Sequence, residues 1–177
     1  MKFLLVTLIL ILHTSISLGI TLQSVFDASG PGNGYDKYVV LEQDMIYTGE
    51  VGVYEGDVFI EGNGAIVDLN EGLGIWVYAE EDYPANLDIE YVTIINGGYN
   101  GITFNGTSTG NITNCNFNQN AYGIQIMDST NISVKNSNFI QNSDYGIAVR
   151  GILASFEITY SNFWENELGP GAFNENC

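Results

Sequence analysis

Residues 101–122 read GITFNGTSTGNITNCNFNQNAY, residues 123–145 GIQIMDSTNISVKNSNFIQNSDY, and residues 146–168 GIAVRGILASFEITYSNFWENEL. Set one above another, they share a frame. A Gly-Ile pair opens each copy at Gly101, Gly123 and Gly146. An Asn-Phe pair follows at Phe117, Phe139 and Phe163, and then Asn120, Asn142 and Asn166. A looser copy opens at Gly74; the interval from Gly74 to Gly101 is longer than the two nearly equal ones that follow. Gly169 lies one further period beyond Gly146 and opens another, unfinished copy. The apolar residues inside each copy alternate with period two and show no helical period. Short strands repeating at this interval predict one solenoid coil per copy, with equivalent strands stacked about 4.8 Å apart.

The alignment assigns inward columns. Ile75, Ile102, Ile124 and Ile147 form one, and Val77, Phe104, Ile126 and Val149 the next. Ile94, Phe117, Phe139 and Phe163 form a third, beside the smaller Val92, Cys115, Ser137 and Ser161. Asn96, Asn120, Asn142 and Asn166 are expected to turn a corner, since Asn tolerates left-handed backbone and its amide can bond the same amide one coil away. Tyr99, Tyr122 and Tyr145 are expected to stack at another turn. The Gly-Ile-x-Ile/Val strand, the Phe strand and the Asn after it resemble the right-handed parallel β-helix repeat of the pectin-lyase-like superfamily, over roughly residues 49–169. The resemblance implies an all-β fold, a right-handed parallel β-helix (β-solenoid) of about five coils. It implies no single function, because that superfamily includes polysaccharide lyases, glycoside hydrolases, epimerases, adhesins and scaffolds.

Outside the repeat, residues 1–19 have the basic, apolar and small-residue layout of a secretory signal peptide, and Phe3 to Leu12 is too short to span a bilayer. A secreted, extracellular or cell-surface protein is therefore expected, with no membrane span in the mature chain. Residues 20–50 do not repeat and are expected to cap the N-terminal end, with Gly30 to Gly34 as a loop between the leader and two strands. Residues 51–177 are expected to be coils, the last incomplete, which leaves an edge open to end-to-end self-association.

The chain has 177 residues, 4 Lys+Arg against 21 Asp+Glu, and a formal net charge of -17. That balance excludes nucleic acid as a partner. The single His lies in the leader at position 13, which removes His-based triads and His metal sites from the mature chain. The Arg-centred motif of pectate lyases and the Asp and His signatures of polygalacturonases are absent. Such an acidic protein would also repel a polyuronate. No catalytic residue is assigned; Asp128 and Arg150 are the remaining charged pair worth testing, with a surface salt bridge as the competing role. Cys115 and Cys177 are too few and too far apart in the chain to make a disulfide scaffold, and Cys115 is expected to be a buried free thiol.

The outward side of the Gly-Ile strand carries aromatics and amides, which suits contact with a neutral polysaccharide. Trp76, Tyr78, Asn105, Gln125 and Arg150 are the candidate carbohydrate-binding residues. The longer first copy adds the stretch Ala79 to Pro84, where Glu80 and Asp82 are candidate calcium ligands, although three adjacent acids cannot all face one ion. No cofactor other than calcium is indicated. Asn105, Asn111 and Asn131 each open an Asn-x-Ser/Thr triplet. The expected function is a non-catalytic module contacting carbohydrate or a surface protein partner. The alternatives are the first part of a carbohydrate-active enzyme with catalytic coils beyond residue 177, and a structural spacer of a surface protein.

Overall fold

A computed structural model describes residues 19–173; most of the proposed leader and Cys177 lie outside the described residues. The chain winds through three parallel sheets. Its first turn comprises β1 (Ile20–Thr21), α1 (Leu22–Ala28), β2 (Lys37–Val40) and β3 (Ile46–Thr48). Five complete coils follow: β4 (Gly52–Val53), β5 (Gly56–Glu61) and β6 (Ile66–Asp68); β7 (Ile75–Ala79), β8 (Ala85–Glu90) and β9 (Thr93–Ile95); β10 (Asn100–Gly106), β11 (Thr109–Thr113) and β12 (Asn116–Asn118). The fourth is β13 (Tyr122–Ile126), β14 (Asn131–Lys135) and β15 (Asn138–Ile140), and the fifth β16 (Tyr145–Val149), β17 (Ser155–Thr159) and β18 (Asn162–Trp164). A last strand, β19 (Gly169–Phe173), lies on β16. With the partial turns at both ends this makes about seven turns.

Every inward column expected from the repeat is in register. Ile75 pairs with Ile102, Ile102 with Ile124, and Ile124 with Ile147. Ile94, Phe117, Phe139 and Phe163 pair likewise through the sheet that contains β9 and β12. The Phe117, Phe139 and Phe163 rings stack with centroids 4.9 Å apart and planes within 9° of parallel, which is the coil spacing itself. These rings explain the repeating glycine. A Cβ on Gly101, Gly123 or Gly146 would come within 2.8 Å of the Phe117, Phe139 or Phe163 ring respectively, so only glycine lets each ring lie against the strand.

The corners depart from expectation in several respects. The left-handed residues are Tyr91, Asn114, Asn136 and Tyr160 at one corner and Asn96, Gln119, Gln141 and Glu165 at another. Asn120, Asn142 and Asn166 each follow a left-handed residue and are absent from that set. Their contribution is hydrogen bonding. The Asn120, Asn142 and Asn166 Oδ1 atoms accept the backbone N–H of Gly97, Asn120 and Asn142 at 2.8, 3.1 and 3.2 Å. Their Nδ2 atoms donate to the carbonyls of Ile94, Phe117 and Phe139. Asn96 is not a rung; it sits one position earlier, and its amide donates to Asp68. The tyrosine column is shifted too: Asn100 lies opposite Tyr122, and only Tyr122 and Tyr145 stack, at 6.4 Å. Gly169 likewise pairs with Tyr145, so it is Pro170 that falls level with the opening Gly146.

The first turn contains a helix that the repeat could not announce. Thr21 caps α1 by accepting the Ser24 N–H at 3.1 Å, and Leu22 and Phe26 are buried in the same core as the coils. Residues 20–50 thus add Leu22 and Phe26 to the core and supply strands to two of the sheets. At the opposite end β17, β18 and β19 are the outermost strands of their sheets. Core positions there are only half-buried, as at Phe156, Ile158 and Phe163, and Phe156 stacks on Phe173 at 5.5 Å.

Cys115 behaves as its column requires. It is fully buried, its Sγ contacts the Thr113 carbonyl oxygen at 3.3 Å, and burial pushes the thiol up to about 12. In a Cys177→Ser background, a thiol reagent at neutral pH is expected to leave the folded protein unlabelled and to label it on unfolding. Labelling of the native protein at the rate of a free thiol would place Cys115 outside the core.

Candidate functional site

The outer face of the β4–β7–β10–β13–β16 sheet is where the sequence placed sugar contacts. Register there is as expected: Trp76 pairs with Thr103, Thr103 with Gln125 and Gln125 with Ala148. Accessibility is not. Thr103, Gln125 and Ala148 are buried, so Gln125 is unavailable to a ligand. A side-chain bridge crosses the strands beside them. Arg150 follows the end of β16 and Tyr122 begins β13, yet the Arg150 Nη2 donates to the Tyr122 hydroxyl at 3.0 Å, with the guanidinium 5.4 Å from the ring centroid. In register, Gln125 and Ala148 fall between these two anchors along the strands. The Asp144 carboxylate beside Tyr122 raises its phenol above the ordinary range.

The other candidates fall at separate places. Asn105 is half-buried, with its Oδ1 turned back to accept the Gly106 N–H at 2.7 Å. Asp128 accepts the same N–H at 3.3 Å and, with Arg150, borders a cavity of about 370 Å³ under the exposed Ile152 and Leu153. Glu80 accepts the Tyr78 hydroxyl at 2.9 Å, which raises that phenol. Among the described residues no three Asp, Glu, Cys or His side chains converge as a metal site would need.

The open part of this face lies at β4 and β7. Gly52 pairs with Trp76, so the outward column has no side chain at its first position. The Tyr54 ring fills that space: a Cβ on Gly52 would fall 2.4 Å from Tyr54 Cε2. Two cavities share Gly52 and Tyr54 in their walls. The larger, about 800 Å³, runs to Asp36, Glu55, Asp82, Tyr83 and Pro84; the smaller, about 560 Å³, runs to Glu50, Leu73 and Trp76. Tyr54 and Tyr83 are 60% and 59% exposed, so their rings are accessible to a ligand. Lys37 also borders the larger cavity. Its Nζ donates to the Phe26 and Ser29 carbonyls at 2.9 and 3.1 Å and lies over the Phe26 ring, so its ammonium is directed at the end of α1.

A family described as the right-handed beta helix region matches residues 44–176. The chain belongs to the right-handed β-helix family. The match covers all five complete coils and agrees with the pectin-lyase-like repeat. No curated protein and no solved structure matches the chain. Within this β-helix, the groove combines Trp76 and the loop that holds Asp82 and Tyr83, both singled out in the sequence, with Tyr54, Asp36 and Glu55, which were not. The available signal was Gly52 in register with Trp76, a missing side chain in an outward column. No helix among the described residues is long and apolar enough to cross a membrane.

Proposed function

We propose that this β-helix is a non-catalytic binding module of a secreted or surface protein, and that the groove at β4 and β7 holds a polysaccharide chain. The observation that carries the reading is the pair of adjoining cavities, about 800 and 560 Å³, walled by Tyr54, Tyr83 and Trp76. Binding pockets are concave, with apolar walls and a few placed polar groups, and these volumes are in their usual range. Sugar rings present an apolar face to an aromatic ring and hydroxyls at their edge. Carboxylates at Asp36, Glu50, Glu55 and Asp82 are acceptors for those hydroxyls. The scaffold beneath is a hydrogen-bonded solenoid, so little ordering is lost on binding.

Titration calorimetry and affinity electrophoresis against soluble glucans, mannans and xylans test this reading. At least one of them is expected to bind. Trp76→Ala is expected to weaken that binding about tenfold or more, as truncation of a central aromatic contact does. Tyr160→Ala, on an exposed corner between other sheets, is expected to change nothing. Absence of binding by the whole panel and by a glucosamine polymer, or equal affinity in the Trp76→Ala variant, overturns the reading.

A further inference from the structure

The composition of the groove wall carries an inference about the ligand's charge, which rests on the saccharide reading above. Asp36, Glu55 and Asp82 border the larger cavity and Glu50 the smaller one. Among the described residues, Lys37 is the one basic side chain in either wall, and it points its ammonium at the carbonyl end of α1. Some of the carboxylate capacity is engaged. One Asp36 oxygen accepts the Asp57 N–H at 2.9 Å and one Glu50 oxygen accepts the Leu73 N–H at 2.7 Å. These bonds fix the two carboxylates while leaving their charge in place. Beside them stand Tyr54, Tyr83 and Trp76, whose ring faces attract cations. Carboxylates and open aromatic faces around one concave space are complementary to an ammonium group, and the chain's charge of -17 draws cations toward it.

We infer that the groove is selective for an amine-bearing saccharide, a polymer of hexosamine with free amino groups, over its neutral counterpart. Each protonated amine would sit against a carboxylate or a ring face, while the sugar rings lie along Tyr54, Tyr83 and Trp76. A polyuronate would meet the same carboxylates with like charge and be rejected.

The test compares four ligands by calorimetry in mildly acidic, low-salt buffer: hexamers of β-1,4-linked glucosamine, of N-acetylglucosamine and of glucose, and spermine. The glucosamine hexamer is expected to bind about tenfold or more tightly than either neutral hexamer, consistent with two or more partly screened charge pairs. That advantage is expected to shrink as salt rises, because exposed pairs are screened within about 8 Å at physiological ionic strength. In a Glu55→Gln/Asp82→Asn variant whose unfolding midpoint matches the parent's, the affinity ratio between amine and acetylated hexamers is expected to fall toward one. If a neutral hexamer binds as well as the amine, the charge inference fails and the saccharide reading stands. If spermine matches the glucosamine hexamer, the groove reads charge without sugar, which overturns the inference. If no saccharide here and none of the neutral polysaccharides binds, both fail.

Discussion

Replacing Phe139 by Ala is expected to lower the unfolding free energy by about 3–5 kcal/mol, the usual cost of emptying a buried aromatic site. Phe139 is fully buried and is the middle ring of the stack, 4.9 Å from both Phe117 and Phe163. Its loss removes two ring contacts as well as the buried area, each worth about 0.5–1.5 kcal/mol. The site also resists collapse. The main chain on each side is held by its register to β12 and β18, and the Gly123 backbone already lies against the ring. Solenoid coils contact only their neighbours, so the damage falls on the interfaces of one coil. Denaturant unfolding is therefore expected to show the β16–β19 end separating from the rest at lower denaturant than in the parent. Phe139→Leu, which fills much of the space, should recover over half of the loss. A change below about 1 kcal/mol for Phe139→Ala would mean that the ring is exposed and the register wrong.

How much of this was legible in the sequence depends on how far apart the deciding residues lie. The Phe stack, the isoleucine columns and the small column through Cys115 and Ser137 recur once per coil, so the pattern alone aligned them. Burial of Gln125 was not legible. The alternation along its strand marks Gln125 as outward, and the contacts between coils that decide its exposure, such as Arg150 with Tyr122, join residues a coil and more apart in the chain. The helix α1 is only two turns long, too short to display a period, and it forms because Thr21 caps it and the core accepts Leu22 and Phe26. The groove was half legible for a similar reason. Trp76 belongs to the aligned copies, whereas Asp36 lies in the non-repeating residues 20–50, and Tyr54 and Glu55 lie in the coil ahead of the aligned copies, where no alignment assigns a face. The chain holds 20 asparagines, an excess that announced a ladder but could not separate Asn96, whose amide meets Asp68, from the three residues that form the rungs.

That excess holds two ladders with the same residue at the same spacing, and their difference gives the second large effect. The inner rungs are Asn120, Asn142 and Asn166, the first two fully enclosed; the outer ones are Asn116, Asn138 and Asn162, half-buried or exposed. In the inner ladder the Asn142 Oδ1 accepts the Asn120 backbone N–H at 3.1 Å and its Nδ2 at 3.3 Å, while the Asn142 Nδ2 donates to the Phe117 carbonyl at 3.2 Å and to Asn166 Oδ1 at 2.7 Å. Leu has nearly the same shape and none of these atoms. Asn142→Leu thus strands a buried backbone N–H and weakens three further groups, in a place water does not reach. At about 1–3 kcal/mol for each buried group left unpaired, with partial relief from the remaining partners, a loss of about 3–4 kcal/mol is expected. In the outer ladder Asn138 donates to Asn116 Oδ1 at 2.7 Å and accepts from Asn162 Nδ2 at 3.0 Å. Asn138→Leu breaks bonds of the same kind, but water can replace them, so a loss under about 1 kcal/mol is expected. Equilibrium unfolding of the two variants side by side reads the comparison directly. Equal losses would mean that burial does not set the strength of a rung, and a small loss at Asn142 would mean that the corner finds other partners for the Asn120 N–H.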